Sequence, residues 1–532
     1  MRAATGANSL CVLFEDEHLL VVNKPPGWNT HAPSPFAGEG IYDWLRHREP
    51  RWASLAIVHR LDKETSGVMV FTKTAVANKS LTQQFERGEV QKCYVLVTDR
   101  PMKGSSFTVR SHLVRSGDRY VSKATGSPRD FAETTFKAIR SEDGRTWLEA
   151  RPRTGRTHQI RVHAMERGIP IVGDALYGGA PAQRVWLHAA EMSFRHPRSN
   201  DLITVRAKPD FECPRHFALR SAFVDRCTDA FRLVHGAADG HRGWFVDKLG
   251  PNLLSSSEDP LNRARTGLLR EWAVAMGLSA AYHKALRRHV GAAHSKEASA
   301  QLVHGEAAPG CFEISENAVK FEAAFDEGYS VGLFLDQRDN RRRILSSHVA
   351  AGFDLSPHAQ HFALNCFAYT CAFSVCAALA GAHTTSIDLS RKYLDWGRRN
   401  FALNGLDSDA HEFLHGDCFD WMRRLAKKGR AFDLVLLDPP TFSRSKQRTF
   451  SAVKDYGALV SLAMPLVKPR GVLFASTNAA TIEPENFLAM VRRAVEASGR
   501  RIAQEFYAPQ PPDFPITREE PAHLKTVWLL FA

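Results

Sequence analysis

Two aspartates stand where chemistry could begin. Asp62 lies in VHRLDKETSG (58–67), just ahead of the strand-like run GVMVFTK (67–73). A carboxylate in such a turn can simply cap backbone N–H groups. Held ionised and shielded from water, it can instead act as a nucleophile or a base, and a neighbouring arginine favours the charged form. Downstream, KCY (92–94) supplies Tyr94, and TGRTHQIRVH (154–163) supplies Arg156 and Arg161. Taken alone, Tyr94 reads as a core aromatic on a strand, and the two arginines as a solvated face or phosphate contacts. His158, His163 and His188 lack the carboxylate partners and spacing of a metal site, so no metal is expected.

Asp438 is the second. It follows the apolar run FDLVLL in DPPT (438–441), where the prolines stiffen the loop and turn carbonyls toward a planar substrate. Alone it reads as a strand-end cap. Its companions change that reading. NCFAYTCAFSV (365–375) lies where a strand turns into a helix, the place at which a doubly wound domain binds a nucleotide-like ligand. Asp388, in SIDLS, suits ribose hydroxyls. Asp417, in HGDCF, suits an adenine amino group or a backbone donor. In the run DQRDNRRR (336–343) the outer arginines read as a solvated helix face. RSK (444–446) suits phosphate contact.

The elements that must position these groups change texture along the chain. Residues 1–212 read as many short strands with few helices (41–49, 74–88, 158–168), an α+β domain. Residues 213–335 read as a small α/β connecting domain, with two strand-like pieces in 231–250, a helix over 266–288, two more strands in 311–325 and a surface loop at 255–265. Residues 336–532 alternate strand and helix, which predicts a parallel, doubly wound, Rossmann-like sheet. The chain is thus multidomain, and 532 residues fit about three domains.

Composition sets the limits. A 44% hydrophobic and 24% charged chain excludes a fibrous or largely disordered protein. The net charge of +13 splits into +8 over residues 1–212 and +5 over the rest, which suits a polyanionic partner. Nine scattered cysteines without a CxxC pair argue against a disulfide framework or a zinc site and for a reducing, cytoplasmic setting. The apolar stretch 366–382 is too short and too polar to span a membrane, so no membrane partner is expected. Nothing in the sequence speaks to oligomeric state.

The blocks HRLD-x-x-TSG and GRTHQIRVH, with KCY, GDALYGG (173–179) and WLHAAEM (186–192), resemble the pseudouridine synthases of the ribosomal large-subunit family over residues 10–212. The resemblance implies that uridine is isomerised without a cofactor. Asp62 takes the catalytic role, with Arg161 pairing it. Arg60 fills the space of the extruded nucleotide, Tyr94 stacks on the uracil and helps remove the last proton, and Leu187 closes the pocket. Base flipping is implied, with Arg156 contacting RNA.

Residues 220–532 resemble the class I S-adenosylmethionine-dependent methyltransferases. RLVHGAADG (232–240), GYSVGLFLDQRDNRR (328–342) and LDPPTFSRSK (437–446) narrow this to a group acting on large-subunit ribosomal RNA. The resemblance places S-adenosylmethionine against Gln337, Arg338, Asn365, Tyr369, Asp388 and Asp417. It makes Asp438 the group that orients the target base and puts Thr441 and Phe442 at the pocket wall. The family carries glycines where this chain has Cys371 and Ala372, which puts the closeness of ligand and backbone in question. Relatives that methylate cytosine carbon carry a cysteine near ASTN (475–478), and none stands there. A ring or exocyclic nitrogen of a purine, guanine foremost, is therefore expected. The sequence reads as a fused enzyme with two activities and RNA as its partner, 23S rRNA in particular. The alternatives are an active synthase carrying a non-catalytic methyltransferase-like RNA-binding module, and the same activities on tRNA.

Overall fold

A computed structural model describes residues 11–102, 104–286, 299–326, 330–355, 361–444 and 449–532. Gly328, Tyr329, Ser445 and Lys446, named above in two motifs, lie outside the described residues. The contacts divide the chain into two compact units, built mainly from residues up to Asp225 and from Arg226 onward. The connecting segment and the doubly wound segment thus fall into one unit. The helix Arg215–Phe223 belongs with the first unit, where Phe223 packs on Trp28 with ring centroids 4.1 Å apart.

Among the described residues the first unit carries one eleven-stranded sheet. The strand Ser66–Thr72 is buried at every position, and Leu19–Lys24 nearly so, because both faces are covered. Arg145–Pro152 alternates buried and exposed instead, the pattern of a sheet with one wet face. Leu187–Arg195 joins the two halves. It pairs in parallel with Ser66–Thr72 (Ala189 opposite Gly67) and antiparallel with Gln91–Thr98 (Ala189 opposite Tyr94). Gly67 has φ +117°, and a Cβ there would lie 2.3 Å from the Ala189 carbonyl oxygen, so the approach requires glycine. This register places Gly67 and Tyr94 on either side of Ala189.

The second unit opens with a five-stranded sheet spanning Ala230–His235 to Gln301–Gly305. Two expectations change here. The stretch 255–265 is a loop only over 258–262: Ser255–Ser257 end the strand Asn252–Ser257, and Arg263 opens a helix. The hydroxyls of Ser255 and Ser257 are satisfied, Ser255 accepting from the Trp244 indole at 2.7 Å and Ser257 donating to the Asp259 carbonyl at 2.6 Å. The helix expected over 266–288 runs instead over Arg263–Ala275, starting on an Asn262 cap and stopping before Gly277, which takes φ +65°.

A seven-stranded sheet follows, in the order Glu412–His415, Ala382–Asp388, His361–Cys366, Phe432–Leu437, Val467–Thr477, Lys525–Phe531, Ile502–Tyr507. The first five strands run parallel, as the sequence alternation predicts. Lys525–Phe531 is inserted antiparallel to both neighbours. Strand order reverses beside His361–Cys366, which opens a crevice at the carboxyl ends of the strands. One core cluster links Ala230, Ile314 and Phe321 to Phe474 and Trp528. Among the described residues no helix is long and apolar enough to cross a membrane.

Candidate active sites

In the first unit Asp62 sits in the loop between Ala56–Ile57 and Ser66–Thr72. That loop is pinned on both sides of the aspartate. Thr30 exchanges hydrogen bonds with the Leu61 backbone at 3.0 and 3.2 Å, and the Lys24 ammonium donates to the Lys63 carbonyl at 3.2 Å. Lys24 is fully buried and also donates to the Pro25 and Trp28 carbonyls. Burial pushes its amine down to about 7, against the pull of the nearby Glu64 and Asp62 charges.

The Asp62 carboxylate is 17% exposed and stands 3.9 Å from the Arg161 guanidinium. Arg161, on the helix Gln159–Glu166, has a tighter partner. Its Nε and Nη2 donate to the two carboxylate oxygens of Asp174 at 2.6 and 2.8 Å, with both residues buried. Arg161 thus faces two carboxylates, Asp62 at 3.9 Å and Asp174 more tightly. A buried guanidinium needs a bidentate counter-charge, and Asp174 supplies it, leaving Nη1 toward Asp62. The Arg161 guanidinium also lies 5.0 Å over the Tyr177 ring, whose hydroxyl meets His158 Nδ1 at 2.8 Å and accepts from the Tyr120 amide at 3.0 Å. Asp174 and Tyr177 both belong to GDALYGG. Sequence reasoning noted the block without giving it a task.

Tyr94 is half-buried. Burial, and next the Asp62 charge, push its phenol above its ordinary value. It therefore presents a neutral ring and hydroxyl at neutral pH. Arg60 is exposed beside Asp62. Arg156 is exposed and donates from Nε to the Phe131 carbonyl at 3.1 Å. Leu187 is 2% exposed and packs in the core with Leu96 and Ile160. His163 and His188 are hydrogen-bonded in the interior, to Ser111 and Thr134 and to Ser66 and the Ala207 carbonyl, and burial lowers each to about 4. Among the described residues no group of His, Cys, Asp and Glu is placed to hold a metal.

In the second unit, the loop between His361–Cys366 and the helix Ala372–Leu379 is bent by three non-glycine residues with left-handed φ: Phe367 (+61°), Tyr369 (+50°) and Cys371 (+61°). The loop's amides are spent inside the protein: Phe367 donates to the Cys418 sulfur at 3.2 Å, Ala368 to the Ile387 carbonyl at 2.9 Å and Cys371 to the Ala368 carbonyl at 2.8 Å. Asp388, at the end of its strand, holds the loop's Tyr369 amide on one carboxylate oxygen and the Ser390 amide on the other, both at 2.8 Å. Burial pushes its carboxyl above the usual carboxylate range, and these N–H donors oppose the rise. Asp417 caps the helix Cys418–Lys427 through one oxygen, which accepts from the Phe419 and Asp420 amides. Tyr369 is half-exposed. Its hydroxyl accepts from the Gly332 amide at 3.1 Å, and its ring lies 5.3 Å from Phe334 and 4.6 Å from Tyr393.

Two residues expected at the ligand are buried and bound to other side chains. Asn365 is buried under the loop and donates to Ser374 at 2.9 Å, which in turn meets Ser386. Arg338 is spent on a buried bidentate pair with Asp513 at 2.6 and 2.7 Å. The outer arginines also depart from the solvated-face reading, since Arg341 is buried in a bidentate pair with Glu316. Gln337 reaches the strand end, donating to Ser476 at 2.8 Å and accepting from Asn340 at 2.7 Å. Burial raises the Asp438 carboxyl to about 6, while hydrogen bonds from Ser476 and Gln337 pull the other way. Tyr456 fixes the two strand ends by donating to the Ser476 and Leu437 carbonyls. Thr441 is exposed and donates to Asn478 at 2.7 Å, and Phe442 is 62% exposed. The half-exposed Tyr369 and the carboxylates of Asp388 and Asp417 lie at the carboxyl ends of the parallel strands, where a nucleoside that carries a charged tail can be held.

Comparison with known proteins agrees with this division. Residues 18–166 match the RNA pseudouridylate synthase family, and residues 258–531 match the S-adenosylmethionine-dependent methyltransferase family. A ribosomal RNA large subunit methyltransferase of Deinococcus radiodurans is 32% identical over 316 residues, 59% of this chain and 74% of that protein. A ribosomal large subunit pseudouridine synthase C of Salmonella typhi is 36% identical over 220 residues, 38% of this chain and 68% of that protein. The chain thus belongs to the RNA pseudouridine synthases through its first unit and to the S-adenosylmethionine-dependent methyltransferases through its second, two enzymes in one polypeptide.

Proposed function

We propose that the protein modifies large-subunit ribosomal RNA twice, isomerising one uridine and methylating one purine nitrogen, guanine foremost, in the cytoplasm. The synthase reading is carried by the Asp62–Arg161–Asp174 arrangement. A uridine swung out of its helix would lie on Tyr94, with Asp62 at the glycosidic bond. The bond from C1′ to N1 breaks, the uracil turns, and a bond from C1′ to C5 forms. The C5 proton leaves and N1 gains one, so atoms balance without a cofactor. Asp62 either attacks the nucleotide or removes the proton that starts cleavage, and both roles need its charged form. Arg161 favours that form, and Asp174 keeps the arginine from swinging onto the substrate.

In the second unit Tyr369, Asp388 and Asp417 are the residues proposed to hold S-adenosylmethionine. When bound, the group supplies an electrophilic methyl on a sulfonium. The chain's part is alignment: Asp438, steadied by Ser476 and Gln337, orients the base edge, and exposed Phe442 offers a stacking face. If the acceptor is an exocyclic amine, the Asp438 carboxylate takes the proton that the amine loses. The relatives named for large-subunit ribosomal RNA support that substrate for both halves.

The test is mass mapping of large-subunit RNA from cells that carry the wild-type chain, Asp62→Asn or Asp388→Ala. Loss of one pseudouridine in the first variant and of one base methylation in the second is the expected result. Unchanged ribosomal RNA, with both marks traced to tRNA, would overturn the substrate.

A further inference from the structure

Cys371 occupies a backbone position shaped for glycine. Its φ and ψ are +61° and +26°, a conformation in which a Cβ crowds the following carbonyl. It nevertheless caps the helix Ala372–Leu379, with its amide donating to the Ala368 carbonyl at 2.8 Å and its own carbonyl accepting from Val375 at 2.9 Å. The side chain is fully buried, so it cannot line an open ligand concavity. The helix Arg391–Leu403 receives it. A Cβ built on Gly397 would lie 2.5 Å from the Cys371 sulfur and 2.8 Å from its Cβ.

Gly397 itself has no need of glycine's conformational freedom. It sits inside a thirteen-residue helix, where glycine costs about 1 kcal/mol relative to alanine, and its φ is not left-handed. Packing is the remaining reason for it. One turn on, Asn400 on the same helix donates to the Thr370 carbonyl at 2.9 Å, and Thr370 donates to the Gly332 carbonyl at 2.6 Å. One helix face thus grips the loop beside the thiol. The thiol is not a reactive one, since burial pushes it up to about 12.

We infer that Cys371 and Gly397 form a steric pair, in which the helix glycine takes in the thiol so that the loop 366–371 keeps the shape in which it meets S-adenosylmethionine. The inference rests on the reading of that loop as the cofactor site. A side chain at position 397 would drive Cys371 back along the loop. The Tyr369 amide, held by Asp388 only two residues earlier, would move with it. Gly397 is a positioning residue here and does not touch the ligand.

The experiment is calorimetric titration of the full chain with S-adenosylhomocysteine, alongside thermal melting, for wild type, Gly397→Ala, Cys371→Gly and the double variant. Pseudouridine formation serves as the control that the first unit is intact. The expected result is an affinity for Gly397→Ala lower by about ten-fold or more, and a return to within about two-fold of wild type when Cys371→Gly is added. A purely structural glycine would change the melting temperature and leave the affinity alone. If Gly397→Ala does not fold, recovery of folding and binding in the double variant supports the pair, and an unfolded double variant overturns it. Equal binding by wild type and Gly397→Ala overturns the inference while leaving the cofactor reading in place. No binding by wild type overturns both.

Discussion

In the synthase unit a charged side chain faces the proposed reacting carboxylate, whereas in the methyltransferase unit side chains grip the backbone of a loop that is itself bent into shape. Asp62 faces Arg161, Arg161 is clasped by Asp174, and Tyr177 and His158 close the chain of contacts. The loop at 366–371 instead relies on three left-handed residues and on one carboxylate, Asp388, that grips its Tyr369 amide. The first arrangement concentrates its chemistry in few atoms, so single substitutions there should be severe. The second spreads binding over a shape, so single substitutions should be graded.

The steepest break in that comparison is Asp62→Asn. It removes the charge at nearly constant volume and should reduce pseudouridine formation by roughly 10³-fold or more, with RNA binding kept. Release of tritium from C5-labelled uridine in the RNA measures it, and retained turnover would dismiss Asp62. Asp174→Asn comes next. It strips the strong partner from a buried arginine, a change that costs about 3–5 kcal/mol of stability and lets Arg161 close on Asp62. A lowered melting temperature together with slowed isomerisation is expected. A stable protein with normal turnover would mean that Asp174 is dispensable.

The two sites were unequally legible before the fold was known. HRLD and HQIRVH are runs of side-chain types that only particular chemistry needs, so Asp62, Arg161 and Tyr94 could be named from the sequence. Asp174 could not be assigned, because its task is set by a bond to a residue thirteen positions earlier in the chain, and nothing local announces it. Lys24 was hidden for a similar reason: its partners are three carbonyls, which carry no sequence signal. In the second unit the alternation of strands and helices announced the five parallel strands, but neither Ile502–Tyr507 nor the antiparallel Lys525–Phe531. Arg338 read as a ligand group because arginine in a motif suggests binding, but a buried guanidinium is satisfied first by the nearest carboxylate, Asp513. Cys371 read as a threat to the cofactor because the sequence does not show which way a side chain points. Its answer, Gly397, lies across a helix–loop contact.

Smaller effects should mark the methyltransferase site. Asp388→Ala leaves the Tyr369 and Ser390 amides without their acceptor, and should weaken binding of S-adenosylhomocysteine by about 1–3 kcal/mol. Calorimetry reads this directly, and unchanged affinity would move the ribose site elsewhere. Asp438 gives a pH test. With its carboxyl raised to about 6, it is protonated below that pH and cannot accept a proton there. Methyl transfer should therefore rise with pH through an inflection near 6, about ten-fold per unit on the acid side, and Asp438→Asn should flatten the inflection. Stability runs the other way. Burial penalises the ionised form, so the stability this group contributes is fullest below its unfolded value of 3.8 and is lost as pH rises through about 6.

The mildest prediction separates two tasks at one residue. Asp417 caps the helix Cys418–Lys427 through a single carboxylate oxygen, which leaves the other free for a ligand amino group or hydroxyl. Asn caps a helix about as well as Asp, so Asp417→Asn should keep the melting temperature while replacing the free acceptor with whichever group the amide turns outward. Asp417→Ala loses the cap as well, at about 1 kcal/mol. If ligand contact matters, both variants weaken binding of S-adenosylhomocysteine, and only alanine lowers stability. If the cap is all that Asp417 provides, asparagine binds like wild type and alanine alone suffers. A backbone-shaped site should tolerate asparagine within a few-fold, where the synthase site cannot tolerate the same exchange at Asp62.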